Sequence, residues 1–167
     1  MAYEEPNYEV VHETNLYEIR HYKQRVVVQT KSYSENNGFR KLFNYISGSN
    51  QESLKISMTT PVTETKNDDE SVMHFYLPSN FNQSNTPIPS DGNVQISIMK
   101  EEYLAVIKYS GRSTDSNFYT HLDILKKELI NDEIELIGYP IKATYNGPFT
   151  PYFLRRNEAM HPVKWGN

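Results

Sequence analysis

Residues Leu54–Thr63, LKISMTTPVT, carry the β-branched content of a strand but hold a proline at position 61, directly after two threonines. Proline removes a ladder donor and forces its predecessor to be extended, so such a segment belongs at a sheet edge or at the start of a strand. A slide of the chain by 79 residues shows the same feature again, because Pro61-Val62 falls on Pro140-Ile141. Under the same slide Val27-Val28 falls on Val106-Ile107, Ser34 on Ser113, Asn36 on Asp115, Phe39 on Phe118, Phe43 on Leu122 and Ile46 on Leu125. Each half therefore reads as a strand, a capped helix, a loop and a proline-bearing strand. Apolar agreement between two amphipathic helices is common, so the weight rests on the capping and proline matches.

Two segments have helical periodicity. Phe39, Leu42, Phe43 and Ile46 form one stripe, capped by Ser34-Glu35-Asn36-Asn37 and stopped by Gly48. Phe118, Leu122, Leu125 and Leu129 form the other, with Thr114 or Asp115 as cap and Lys126 and Lys127 near the C-terminal end, where the dipole favours cations. Strand patterns occupy residues 8–13, 16–22, 25–33, 72–78, 94–100, 103–110, 139–145 and 157–163, with turn-rich loops at 65–71 and 78–93. The expected fold is α+β: a strongly curved antiparallel sheet or distorted β-barrel made of two pseudo-twofold-related halves. The halves cover about 25–80 and 104–163 within one domain, 1–167, each with one flanking helix.

Composition narrows the function classes. The formal charge is −4 and no basic run exceeds two residues, which argues against nucleic acid as a partner. Cysteine is absent, so disulfides, thiolate-bound zinc, c-type heme attachment and a thiol nucleophile are excluded. The acidic start MAYEEPNYEV lacks the apolar core of a signal peptide, and Val26-Val27-Val28 is far too short to span a bilayer. A cytoplasmic protein without a membrane span is expected. No phosphate-cradling loop, serine elbow or metalloprotease helix is present, and the chain is read as a non-enzyme.

The histidines are the residues most able to carry chemistry. In LYEIRHY (16–22), alternation puts Tyr17, Ile19 and His21 on one face and Glu18 and Arg20 on the other. An imidazole among such neighbours can ligate a heme iron, with an adjacent basic group for a propionate; the bland alternative is a half-buried histidine bonded to a carbonyl. His121, on the apolar stripe of the second helix, is the next ligand candidate. His74 alternates with Met73 and Phe75 and is expected to face outward, while His12 and His161 have no supporting context. The acidic pairs Glu4-Glu5, Asp68-Asp69 and Glu101-Glu102 read as solvated turns. The second helix could dock on a partner, although its apolar face is the one a core wants.

Taken together, YEVVHETNLYEIRHY, GFRKLFNYISGSN, KISMTTPVT, HFYLPSNF, YNGPFTP and LRRNEAM resemble the SOUL heme-binding protein family in order and spacing, over nearly the whole chain. The resemblance implies the two-half curved sheet, a layout shared with gyrase-inhibitor-like effector-binding domains. It also implies non-covalent binding of heme or another tetrapyrrole, for buffering or delivery. The histidine of the EIRHY motif, His21 here, is then the proposed axial ligand to iron, and Arg20 and Arg25 are the nearest partners for a propionate. At the C-terminus Ala159-Met160-His161 departs from the aromatic and aliphatic pair usual in the family. Two alternatives stand beside heme. One is a small-molecule sensor or hydrolase of the gyrase-inhibitor-like type, which needs a buried Glu facing Tyr with a raised pKa. The other is an interaction module using the second helix.

Overall fold

The computed structural model describes residues 3–32, 38–68 and 70–166. The chain begins with β1 (Tyr8–Glu13), β2 (Glu18–Tyr22), β3 (Arg25–Ser32), α1 (Gly38–Ile46), β4 (Val62–Asn67) and β5 (Glu70–Tyr76). It continues with β6 (Gln95–Met99), β7 (Glu102–Tyr109), α2 (Asp115–Asn131), β8 (Ile141–Thr144) and β9 (Asn157–Pro162). Residues up to Pro6 together with Gln24–Lys100 form one compact unit, and Asn7–Lys23 with the chain from Glu101 onward form a second.

The proline strand organises the first unit. Pro61 immediately precedes β4, so its missing N–H is not asked for by the ladder. Upstream, the Thr60 N–H donates to the Glu4 carbonyl at 3.0 Å and the Thr59 hydroxyl donates to the Tyr76 carbonyl at 2.5 Å. These bonds bring LKISMTT in as an extended lead-in rather than a full strand. The strand order of this unit is β4-β5-β3-β6, every pair antiparallel, with α1 against β3 and β5. Val28, Leu42, Tyr45, Ile46, Phe75 and Leu77 fill the space under the helix.

The second unit repeats that plan. Its order is β8-β9-β7-β2-β1, antiparallel throughout, with α2 against β7 and β9. Thus β7, α2, β8 and β9 occupy the places of β3, α1, β4 and β5, and β2 takes the place of β6. Pro140 precedes β8 as Pro61 precedes β4. Thr114, not Asp115, is the N-cap of α2, and its side chain accepts from the Asn117 N–H at 3.1 Å. Phe118, Leu122, Leu125 and Leu129 pack with Ile19 and Ala105 on the helix side of this sheet. Leu104, Val106, Ile141 and Met160 pack on its other side.

Three sequence expectations change. In α1 the inward residues are Leu42, Tyr45 and Ile46, while Phe39 and Phe43 are half-exposed and stack at 5.9 Å. Tyr45 can enter the core because its hydroxyl donates to the Pro87 carbonyl at 2.6 Å, so the polar tip is not stranded. The segment read as a loop at 65–71 is mostly the β4–β5 hairpin, in which Asn67 pairs with Glu70. Lys126 and Lys127 fall ahead of the last turn of α2, which holds no basic residue. The cap assigned to Ser34-Glu35-Asn36-Asn37 lies outside the described residues.

Candidate functional site

The two faces of β2 separate His21 from Arg20. Tyr17, Ile19 and His21 do share the helix side, and the first two are buried there. The His21 ring lies on Tyr103 at 4.7 Å and 25°, and its Nε2 is 2.7 Å from Glu101 Oε1. The His21 side chain is 20% exposed and that of Glu101 is 65% exposed, so this contact sits at the surface. A solvated turn residue by sequence, Glu101 is therefore the partner of the principal ligand candidate.

Arg20 points the other way and is fully buried. Its Nη1 and Nη2 donate to Glu158 Oε1 and Oε2, both at 2.8 Å, its Nε donates to Glu18 Oε1 at 2.8 Å, and its Nη1 also donates to the Tyr22 hydroxyl at 2.9 Å. The guanidinium lies 4.2 Å from the centre of the Tyr8 ring. All three of its nitrogens are engaged inside the unit, so its donors are turned to protein partners rather than outward. Such planar, bidentate pairing is what makes a buried arginine tolerable.

Glu158 is the buried Glu facing Tyr that the sensor or hydrolase alternative asks for, since the Tyr145 hydroxyl donates to its Oε1 at 2.5 Å. Its titration runs against that alternative. Burial alone would push the carboxyl up, but the hydrogen bonds and charge of Arg20, the Tyr145 hydroxyl and Arg156 outweigh it and hold the group below the ordinary carboxylate value. Glu158 stays charged and occupied.

The remaining histidines are distributed through the second unit and, in one case, the first. His121 stacks on Tyr109 at 4.1 Å and 6°, and its Nδ1 donates to the Asn117 carbonyl at 2.8 Å. His12 lies 5.0 Å from Trp165. His161 is buried with Nδ1 donating to the Pro162 carbonyl at 2.9 Å; burial and Lys126 push its pKa down, partly opposed by that bond. His74 is not outward-facing: it is 6% exposed, and Phe75 on the opposite face of β5 is buried as well. Among the described residues no cluster of three or more histidines and carboxylates converges on a point.

Arg25 belongs to the first unit, on the face of its sheet away from α1. Its Nη1 donates to the Lys100 carbonyl at 3.3 Å and the guanidinium is 5.8 Å from the centre of the Tyr76 ring. Strand register puts Val27, His74, Tyr76, Thr63 and Met99 on the same face. There, Thr63 Oγ1 and His74 Nδ1 are buried with no protein hydrogen-bond partner. Sequence alternation groups His74 with Tyr76, but nothing local shows that this face is covered.

The profile of the SOUL heme-binding protein family matches residues 3–162. Human heme-binding protein 2 is 32% identical over 160 residues, covering 86% of this chain and 76% of that protein. Heme-binding protein 1 of Xenopus laevis is 28% identical over 130 residues, covering 73% of this chain and 67% of that protein. Among solved structures, the EcmrR C-terminal domain superposes with a TM-score of 0.67 at 12% identity, covering 94% of this chain and 98% of that one. A hydrolase from Listeria innocua gives 0.64 at 8% identity, covering 92% and 94%. At these identities the structural likeness speaks to the fold alone.

Proposed function

This chain belongs to the SOUL heme-binding protein family, and from that premise we propose that it binds heme non-covalently, as a carrier for buffering or delivery. Family membership is the observation that carries this reading. Both units, on this view, make up one SOUL domain over residues 1–167. Heme, when bound, supplies the iron; the chain supplies a nitrogen ligand and apolar cover for the macrocycle.

His21 fits the ligand role. Its ring orientation is fixed by Tyr103 and its side chain reaches the surface. Among the described residues the group on its Nε2 is the carboxylate of a mostly exposed glutamate. Exchanging Glu101 for iron costs one surface contact, which is weak in water. Arg20 leaves the propionate role because its donors are committed to Glu158 and Glu18. Arg25 keeps it and can be tested separately from His21.

A carrier rather than a catalyst is favoured because Glu158, the carboxylate that a hydrolytic alternative would use, is held charged by Arg20. The interaction-module alternative loses its surface, since Leu122, Leu125 and Leu129 are buried. Among the described residues no helix is long and apolar enough to cross a membrane, and the cytoplasmic assignment rests on the sequence alone.

A hemin titration followed by absorbance, on the wild type and on His21→Ala, tests the reading. We expect a saturable one-to-one Soret change whose histidine-type signature is lost in the variant. Saturable binding with an unchanged spectrum would remove His21 and leave His121 or a ligand-free surface. Featureless, non-saturating uptake would sink the heme reading.

A further inference from the structure

Nearly all buried polar side chains in proteins find a hydrogen-bond partner, and an exception calls for a reason such as a ligand. Two exceptions stand side by side in the first unit. Thr63 on β4 and His74 on β5 are direct cross-strand partners, so their side chains project from the same face a few ångströms apart. Thr63 is 0% exposed and His74 6% exposed, yet Thr63 Oγ1 and His74 Nδ1 have no protein partner. Leaving such groups unsatisfied is expensive, and either could be replaced by an apolar residue of similar shape.

The electrostatics of the face select the ligand class. Its charged residues on β3, β4, β5 and β6 are Arg25, Lys31 and Glu70, and Glu70 sits at the hairpin end, 3.9 Å from Lys31. Among the described strand residues of this face, the polar centre is therefore nearer a guanidinium than the single carboxylate. A hydroxyl, a neutral imidazole N–H and a cation together suit an anion with two acceptor oxygens. Outward along the face, Gln29 and Ser97 are only half-buried. A hollow of about 340 Å³ lies at the edge of β3, lined by Gln29, Thr30, Lys31, Lys41 and Gln95; Thr30 and Lys41 put part of it on the α1 side, and Thr63 and His74 do not line it.

We propose that this face is a carboxylate-binding site in which the Thr63 hydroxyl and His74 Nδ1–H donate to the two oxygens of the ligand beside the Arg25 guanidinium. Resting on the heme reading, the carboxylate is a propionate of the tetrapyrrole. Thr63 and His74 are then specificity residues that separate the free acid from its ester.

The test compares the affinity of hemin with that of hemin dimethyl ester, for wild type, Thr63→Val and Thr63→Ser. Wild type should prefer the acid, Thr63→Val should lose about tenfold of that preference, and Thr63→Ser should keep it. Without ligand, Thr63→Val should be at least as stable as wild type in urea, since it removes a stranded hydroxyl in an isosteric frame. An unchanged preference in Thr63→Val overturns the proposal even if hemin binds well, because the hydroxyl then has only a structural or water-bonded role. Should hemin fail to bind, a thermal shift with millimolar benzoate still reads the site. A shift in wild type that is lost in Thr63→Val keeps the carboxylate site and moves the ligand to a smaller acid; no shift in wild type overturns it.

Discussion

Arg20 on β2 and Glu158 on β9 face each other across β7 with two parallel hydrogen bonds of 2.8 Å, and neither side chain is exposed. Removing one member leaves the other charge buried and uncompensated. Arg20→Met and Glu158→Leu should each cost about 3–5 kcal/mol of stability, whereas the double change Arg20→Met with Glu158→Leu should recover most of the loss. Urea unfolding of the four proteins forms a double-mutant cycle. Single losses under about 1 kcal/mol, the range of exposed pairs, would contradict the burial of this one.

Stability should fall between neutral and mildly acidic pH through His74. Burial, and then the positive charge of Arg25, hold its pKa down at about 4 against the ordinary 6.5. An unfolded chain takes up this proton near pH 6.5 and the folded one only near 4. The contribution is therefore fully present above about pH 6.5 and is lost as pH falls towards 4, by about 3 kcal/mol. Glu158, also held low, adds a loss of the same sign below the ordinary carboxylate range. Urea midpoints measured at pH 7, 5.5 and 4.5 should show this slope in wild type and a flatter one in His74→Leu. Equal slopes in the two proteins would assign the acid sensitivity elsewhere.

The repeat was legible because its signals are local. Pro61 and Pro140 each fix a strand start, and Val62 and Ile141 keep the 79-residue offset in the folded units. The ungapped offset fails beyond them, since β5 begins at Glu70 whereas β9 begins at Asn157, after the turn at Tyr152–Leu154. The inward face of α1 was misread for a non-local reason. Periodicity cannot separate Phe43 from Tyr45 without knowing that the Pro87 carbonyl meets the Tyr45 hydroxyl. Site residues divide along the same line. Alternation put His21 on the correct face, but the commitment of Arg20 to Glu158 depends on strands far apart in sequence, and alternation cannot show that both His74 and Phe75 are buried.

The α2 cap offers a check on local energetics. Thr114 accepts from the Asn117 N–H, one of the four amides that the first helical turn leaves without intrahelical partners. Thr114→Ala should lower stability by about 1 kcal/mol, and Thr114→Ser or Thr114→Asp should restore most of it. If alanine is neutral, the helix start is held by packing of Phe118 rather than by its cap.

Glu101 competes for the nitrogen that iron would take. Its Oε1 lies 2.7 Å from His21 Nε2, on a side chain that is 65% exposed. A surface contact of this kind is worth little and the carboxylate charge is screened by salt, so its removal should help ligation modestly rather than transform it. Glu101→Ala should tighten hemin binding by about two- to fivefold at low ionic strength, with the histidine-type spectrum retained. The difference from wild type should shrink at 0.5 M salt, where the Debye length is about 4 Å. Absorbance titrations of both proteins at the two salt concentrations read all of this. Weaker binding in Glu101→Ala would mean that the carboxylate orients the imidazole instead of blocking it, and Glu101→Gln, which keeps an acceptor without the charge, would then bind as wild type does.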